Sequence, residues 1–293
     1  MIFDLKDLEV EIIKKFDGKF NYYNPSHFNG KTIFRRQTKY QDKILISDIV
    51  DEHDNVILQH KLCDEFITGY EDARFINDEE ISVCVCQNDK DDLNRHINVK
   101  FAKYNLKSKE LKIFKTQNAH FEKHWQFYDD KIIYHVTPYT ILDNNENVIF
   151  KKEINWKPWI EKYGNPRLST NVFEVGGIKY LLFHSSKNIN GVNLRYYVGI
   201  MILDSSLNPI GYCDTTLFNS TESFDIHTFF DYFSWKRKLL GLPTIVDIIF
   251  PMNVCVDTYI NIYCGINDCI SANIKINKNE FINKIKKSSF ILV

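Results

Sequence analysis

The sequence has no excess of charge of either sign. Lys+Arg number 37 and Asp+Glu 38 in 293 residues, a formal net charge of -1. So balanced a chain carries no electrostatic footprint for non-specific nucleic-acid binding, and no nucleic-acid partner is expected; a local basic patch is compatible with the total. Long hydrophobic runs are missing too. Runs such as Ile245-Val246 and Ile248-Ile249-Phe250 fall far short of the roughly 18–20 residues that cross a bilayer, so no membrane span is expected. The opening, Met1 to Phe16, holds Asp4, Asp7, Glu9 and Glu11, where a secretory signal would have a basic start and an unbroken apolar core. Cysteines are few and irregular, at 63, 84, 86, 213, 255, 264 and 269. An odd number at such spacing gives no disulfide framework, and Cys264 and Cys269 have no matching second pair for zinc. The histidines form no HExxH cluster, so no metal is expected. Buried, reduced thiols in a cytoplasmic protein are the simplest reading.

What is present is strand-forming sequence. Hydrophobic residues make up 44% and aromatics 14%, enough to build a core and to exclude a wholly disordered chain. β-branched and aromatic residues concentrate in short runs, among them Lys43 to Ser47, Ile81 to Cys86, Lys131 to Val136, Lys179 to His184, Tyr197 to Ile202 and Tyr259 to Tyr263. Polar turns such as Asp129-Asp130, Asp143-Asn144-Asn145 and Val175-Gly176-Gly177 separate them. Two stretches read as helix. In Leu5 to Phe16, Leu5, Leu8, Ile12 and Ile13 recur near helical spacing; the second lies near residues 225–240, with Phe229, Phe230, Phe233 and Trp235. The strand units recur at roughly 45 to 50 residues, the scale of a propeller blade. Five fit the length. The expectation is an all-β chain, residues 1–293 forming a single five-bladed β-propeller domain, with a short N-terminal helix and a helical insertion near 225–240. In such a fold polar residues from distant parts of the chain converge at one end of the central channel.

Six short motifs occupy the places where blades would begin or end. They are Asn24-Pro25-Ser26 with Phe34-Arg35-Arg36, Gly69-Tyr70-Glu71-Asp72-Ala73-Arg74, and Glu122-Lys123-His124-Trp125. Then come Phe183-His184-Ser185, Arg195-Tyr196-Tyr197-Val198-Gly199, and Ile249-Phe250-Pro251 followed by Gly265-Ile266-Asn267-Asp268. In this order they resemble the β-mannoside phosphorylases of glycoside hydrolase family 130 and the related mannosyltransferase–phosphorylases. That family's pattern runs Gly-x-Glu-Asp-Pro-Arg, Glu-Lys-Asn-Trp, Tyr/Phe-His-Gly/Ser, Tyr-Arg-Val-Gly, Val-Phe-Pro and Tyr-Gly-x-x-Asp. The resemblance extends from about residue 20 to about residue 276, and the family's fold is a five-bladed propeller. The chain is a divergent member by this measure. Ala73 replaces a proline, His124 an asparagine, and Tyr197 an arginine; Arg167-Leu168-Ser169-Thr170-Asn171 stands where a basic residue, two glycines and a proline are usual.

The resemblance implies a chemistry. Breaking a glycosidic bond requires a proton donor for the leaving oxygen and a nucleophile at the anomeric carbon. Asp72 is the implied acid, its proton passing through a sugar hydroxyl. Burial and the neighbouring Glu71 would raise the pKa of such an acid, and an inward-pointing Arg74 would oppose them. Phosphate is already an anionic nucleophile, so a phosphorylase needs cations rather than a base. Arg35 or Arg36, Lys123, Arg167 and Arg195 are the candidates. Arg35 and Arg36 face opposite ways in a strand, so at most one lines the channel. The same cations would suit the diphosphate of a nucleotide sugar. Asn24, His124, His184, Tyr196 and Asp268 are candidates for sugar hydroxyls, and Trp125 and Tyr70 for stacking on the ring. Each also has a plainer reading as core residue, strand ion pair or solvated charge. The expected substrates are a mannose-containing small molecule or oligosaccharide with phosphate, a sugar phosphate or a nucleotide sugar as co-substrate. No cofactor is expected, and a homo-oligomer is compatible with the sequence. Three functions remain open: a mannoside phosphorylase, a GDP-mannose-dependent mannosyltransferase or glycosidase on the same fold, and a non-catalytic glycan- or protein-binding propeller.

Overall fold

The computed structural model describes residues 1–15, 17, 19–38, 47–59, 66–88, 97–115, 123–189, 193–218, 244–267 and 270–293. Chain order runs from a single 3-10 turn at Leu5–Asp7 to strand β1 (Glu9–Lys15). Next come β2 (Phe20–Phe28), β3 (Lys31–Thr38), β4 (Ser47–Asp51) and β5 (Val56–Leu58). Then follow β6 (Phe66–Phe75), β7 (Glu80–Asn88), β8 (Ile97–Asn105) and β9 (Leu111–Ile113). The third group is β10 (Gln126–Tyr128), β11 (Lys131–Val136), β12 (Tyr139–Asp143) and β13 (Val148–Lys152), followed by helix α1 (Lys157–Tyr163). The fourth comprises β14 (Arg167–Leu168), β15 (Phe173–Val175), β16 (Ile178–Ile189), β17 (Asn193–Leu203), β18 (Pro209–Cys213) and β19 (Thr244–Asp247). Last are β20 (Ile249–Val256), β21 (Tyr259–Ile266), β22 (Ile270–Asn277), helix α2 (Lys278–Lys287) and β23 (Phe290–Leu292).

These strands form five sheets, the blades of a β-propeller. Blade I is β2-β3-β4-β5, blade II β6-β7-β8-β9 and blade III β10-β11-β12-β13. Blade IV is built on β14-β16-β17-β18-β23, and blade V runs β1-β22-β21-β20. Blade faces pack on one another through apolar clusters. Ile33 and Ile49 of blade I meet Ile81, Val83 and Val85 of blade II; Phe101 of blade II meets Trp125 and Ile132 of blade III. Leu182 and Ile200 of blade IV meet Ile262 and Ile274 of blade V. Cys84, Cys213 and Cys264 are buried free thiols, and Cys255 is partly exposed.

The stretch expected as an N-terminal helix is largely strand. Only Leu5–Asp7 is helical, and β1 pairs antiparallel with β22, Val10 opposite Ile274 and Glu11 opposite Asn273. Val10, Ile12 and Ile13 are β-branched, and the open edge of β22 offers a hydrogen-bond ladder that a lone short helix cannot match. Lys275 of β22 pairs with Glu9 at 2.6 Å and Glu11 at 3.2 Å across this junction. The helical insertion expected near 225–240, the run Lys43 to Ile46 and Asp268 lie outside the described residues. Among the described residues no helix is long and apolar enough to cross a membrane.

Candidate active site

Three innermost strands carry a β-bulge. In β2, Asn24 and Pro25 fall between Tyr23, paired with Arg35, and Ser26, paired with Ile33. In β6, Asp72 and Ala73 fall between Glu71, paired with Cys84, and Arg74, paired with Ser82. In β20, Met252 is the extra residue between Pro251 and Asn253. A bulge breaks the strict alternation of a strand and turns a side chain to a new direction. Asn24 (φ 51°) and Asp72 (φ 52°) occupy the left-handed region there, as does His124 (φ 72°), two residues before β10. Asn, Asp and His tolerate that region better than most side chains. The result is two adjacent pairs, Glu71 with Asp72 and Lys123 with His124, in which both members line one cavity.

That cavity has a volume of about 300 Å³ and is walled by Asn24, Arg35, Glu71, Asp72, Lys123, His124, Arg167, His184, Tyr196, Ile248 and Phe250. Asp72 is 5% exposed, and Asn24 Nδ2 donates to its Oδ1 at 2.7 Å. Asn24 lies against Gly265, where a methyl group would overlap Asn24 Oδ1 and crowd its backbone nitrogen at 3.1 Å. Glu71 is clamped between two cations: Arg35 Nη2 donates to Oε1, and Lys123 Nζ donates to Oε2 at 2.7 Å. Burial pulls the Lys123 pKa down, but Glu71 and Asp72 more than compensate and raise it, so the ammonium stays charged. Arg35 is held further by donation from Nε to Ser47 Oγ at 2.7 Å and by the Tyr23 ring at 4.9 Å.

The two histidines are neutral. Burial lowers the His184 pKa well below its ordinary value, and the charges of Arg167 and Arg74 push the same way. His124 is lowered by burial first, then by His184, Arg74, Lys123 and Arg167. The Ser169 hydroxyl donates to the Pro251 carbonyl at 2.9 Å, so its oxygen accepts from His184 Nδ1–H at 3.1 Å. Nε2 of His184 is then the acceptor nitrogen, suited to a ligand hydroxyl. The His184 ring stacks on Tyr196, 5.8 Å between centroids and 6° between planes, and meets the Phe250 ring edge-on at 4.8 Å.

Thus nine of the residues expected at the site converge: Asn24, Arg35, Glu71, Asp72, Lys123, His124, Arg167, His184 and Tyr196. Others do not line the cavity. Arg36 points to the opposite face of β3 and pairs with Asp48 at 2.9 Å, as alternation requires. Trp125 is fully buried among Phe101, Phe114 and Tyr134, so it packs the core and presents no face to a sugar. Tyr70 packs against the cluster between blades I and II. Arg195 sits on β17 opposite Lys187, outside the wall. Arg74 lies inward but beneath the site, 2% exposed, donating to the carbonyls of Met252 at 3.1 Å and Asp72 at 3.2 Å. Its guanidinium holds the Asp72 backbone from behind, and burial lowers its own pKa.

Ile248 and Phe250 complete the wall and were not singled out as site residues from sequence. Ile248 is fixed by Asn267, whose Oδ1 accepts from the Ile248 amide at 2.8 Å. Ser169, the support of His184, was visible only as a departure from a motif. Among the described wall residues Glu71 and Asp72 are the acids, and both Glu71 oxygens are engaged. The arrangement offers one buried carboxylate, a cationic side formed by Lys123 and Arg167, and neutral nitrogens between.

No protein-family model matches the chain, and no curated protein matches it in sequence. Solved structures do match in fold. A β-1,2-mannobiose phosphorylase from Listeria innocua superposes with a TM-score of 0.57 at 11% identity, covering 94% of this chain and 95% of that one. A GDP-Man-dependent mannosyltransferase from Leishmania mexicana gives 0.56 at 13% identity, with 92% and 90% covered. A glycosyl hydrolase from Bacteroides ovatus gives 0.52 at 12% identity, with 87% and 84% covered. At such identities these likenesses establish the propeller fold, and function has to be argued from the site.

Proposed function

We propose that this protein is a carbohydrate-active enzyme that moves a mannosyl group between a phosphate-bearing partner and a sugar hydroxyl, as in phosphorolysis of β-mannosides and its reverse. The observation that carries the reading is the cavity itself. A buried carboxylate, Asp72, is oriented by Asn24 and shares a sugar-sized chamber with Lys123 and Arg167. In phosphorolysis a phosphate oxygen bonds to the anomeric carbon while the bond to the leaving sugar oxygen breaks. That oxygen takes the proton supplied by Asp72, through a sugar hydroxyl as the resemblance implies. Lys123 and Arg167 hold the phosphate, and His184 and Tyr196 receive sugar hydroxyls.

Hydrolysis is less well supported. It needs a second carboxylate free to activate water, and Glu71 is held at both oxygens by Arg35 and Lys123. The motif order and the mannoside-active proteins among the fold relatives support mannose as the sugar. A nucleotide-sugar transferase is the second reading, favoured by an adjoining cavity of about 530 Å³ that shares Lys123, His124 and Arg167 with the first.

A coupled assay tests the proposal, with mannose 1-phosphate or GDP-mannose as donor and mannose or manno-oligosaccharides as acceptors. Asp72→Asn is expected to lower turnover by roughly 10²–10⁴-fold while donor binding survives. No product from either donor, with a mannoside bound equally by both proteins, would leave a non-catalytic glycan-binding propeller instead.

A further inference from the structure

The cavity wall holds two histidines, His124 just before blade III and His184 on β16 of blade IV. Their rings lie 5.1 Å apart by centroids and cross at 78°. Phe250 meets both edge-on, His124 at 5.6 Å and His184 at 4.8 Å. Burial keeps both rings neutral, and Arg74 and Arg167 push the same way. Each ring therefore carries one proton, on one of its two nitrogens.

The two rings do not hold that proton alike. Nδ1 of His184 faces Ser169 Oγ at 3.1 Å, and that hydroxyl directs its own proton to the Pro251 carbonyl at 2.9 Å. Nδ1 is thus the protonated nitrogen of His184, and Nε2 is a bare acceptor. His124 is the reverse case. Its Nδ1 is buried out of reach of any ligand and has no hydrogen-bond partner. A proton there would be a buried donor with nothing to accept it, which native structures avoid more strictly than an unused acceptor. The proton of His124 belongs on Nε2. With Nδ1 covered in both rings, Nε2 is the nitrogen each leaves to the cavity.

One buried amide ties the pair together. Gln126, 3% exposed, donates through Nε2 to the carbonyls of His124 at 3.2 Å and Ser169 at 3.3 Å. It joins the backbone of one histidine to the serine that supports the other. The Ser169 amide donates in turn to the Leu182 carbonyl at 3.2 Å, which fixes the serine against β16.

We propose that His124 and His184 are a specificity-determining pair of opposite tautomers, one donor and one acceptor, that reads the hydroxyls of an uncharged sugar, with Gln126 and Ser169 as positioning residues behind them. The proposal rests on the reading of the cavity as a sugar site and adds what selects the sugar. A hydroxyl both donates and accepts, so one hydroxyl, or two on adjacent carbons, can satisfy Nε2–H of His124 and Nε2 of His184. A fully ionised oxygen brings no proton to His184, and Arg167 on the same wall is the group that suits an anion. The histidine pair thus marks where the uncharged ring lies. A sugar without the matching hydroxyl leaves a buried nitrogen unpaired, the condition under which a polar site discriminates most sharply.

Long-range proton–nitrogen correlation spectra of the full-length protein, with nitrogen-15 in its histidines, report the tautomer of each ring at neutral pH. His124→Asn and His184→Gln identify the two sets of signals. The expected result is Nε2–H for His124 and Nδ1–H for His184. Ser169→Ala should move His184 to Nε2–H and leave His124 unchanged, and Ser169→Thr should retain the wild-type pattern. The same tautomer in both rings, or a protonated ring, would overturn the proposal. Calorimetry with mannose and its 2-, 3-, 4- and 6-deoxy analogues reads the consequence. At least one analogue should bind the wild type about tenfold more weakly than mannose or worse, and Ser169→Ala should shrink that penalty. Equal weakening of every sugar by Ser169→Ala is what a merely structural serine would give, and it would overturn the assignment. So would a loss of inorganic phosphate affinity in Ser169→Ala with the sugars unaffected, because the acceptor would then face the anion. If Ser169→Ala does not fold, the wild-type tautomers and deoxy series decide the matter. Mannosyl transfer with no deoxy penalty would count against the histidine pair alone. A deoxy penalty without turnover of any donor would count against the proposed enzyme alone.

Discussion

Asp72 owes its setting to three residues from three blades. Asn24 of blade I donates to its carboxylate, Arg74 of blade II donates to its carbonyl, and Gly265 of blade V leaves the space that Asn24 fills. Gly265→Ala would push Asn24 away without touching Asp72. It is expected to lower kcat by roughly 10–100-fold with little change in KM, as misplacement of a reacting group does; unchanged steady-state kinetics would show that Asn24 is not the orienting group. The buried histidines make a separate prediction about stability. Unfolded, each imidazole titrates near 6.5, and in the fold His124 and His184 titrate well below that. Above the unfolded value both states are neutral and stability is complete. As pH falls below 6.5 the unfolded chain binds protons that the fold refuses, and stability is lost until the folded histidines protonate. The slope is up to about 1.4 kcal/mol per pH unit for each histidine. Denaturant midpoints between pH 7.5 and 5 should fall, and His184→Gln should flatten that fall; an unaltered slope in the variant would remove His184 from this account.

At the scale of the element, the bulges in β2, β6 and β20 decide which side chains meet. Regular alternation would send Glu71 and Asp72 to opposite faces, and the extra residue brings both to one wall. Where alternation is intact it separates neighbours, as it does Arg35 and Arg36. Arg35→Ala should therefore release Glu71 and lower turnover, whereas Arg36→Ala should cost only the Asp48 pair and leave turnover near wild type. Equal loss in both variants would contradict the facing assigned to β3. Trp125 follows the same logic one residue after His124. Its ring lies 5.0 Å from Phe101 and 4.9 Å from Tyr134 by centroids, between blades II and III. Trp125→Ala should destabilise the protein by about 3–5 kcal/mol, measured by equilibrium unfolding, because a large buried ring is lost and its cavity cannot fully collapse.

For the whole molecule, the ring is closed by β1, which completes blade V from the other end of the chain. Its neighbour β22 otherwise ends the sheet with an open ladder, and the Lys275 pairs with Glu9 and Glu11 reinforce the join. The site depends on that closure because Asn24 of blade I rests on Gly265 of blade V. Replacing Val10 and Glu11 together by proline guarantees the loss of a ladder bond, since adjacent residues alternate toward β22. The double variant is expected to unfold roughly 5–10 °C lower and to lose donor binding. A large drop in melting temperature with intact binding would show that the site does not need the closed ring.

Strand-rich composition, turn spacing and a repeat at blade scale are local properties, and they carried the all-β propeller; most of the converging wall was implied by the six motifs and the family they resemble. The pairing of a residue with its face in a regular strand was also legible, which is why Arg35 and Arg36 could be separated in advance. What the linear pattern could not supply was anything that depends on a distant partner. Leu5 to Phe16 carries a helical spacing, yet β22, more than two hundred residues later, offers the edge that makes Glu9–Lys15 a strand. Trp125 looked like a platform for a sugar until the rings of another blade claimed it. Ile248, Ser169 and Gly265 carry no chemical signature of their own; they matter because Phe250, His184 and Asn24 stand beside them. Residue chemistry and periodicity are written along the chain, but bulge direction, burial and contact between blades arise only when the ring closes.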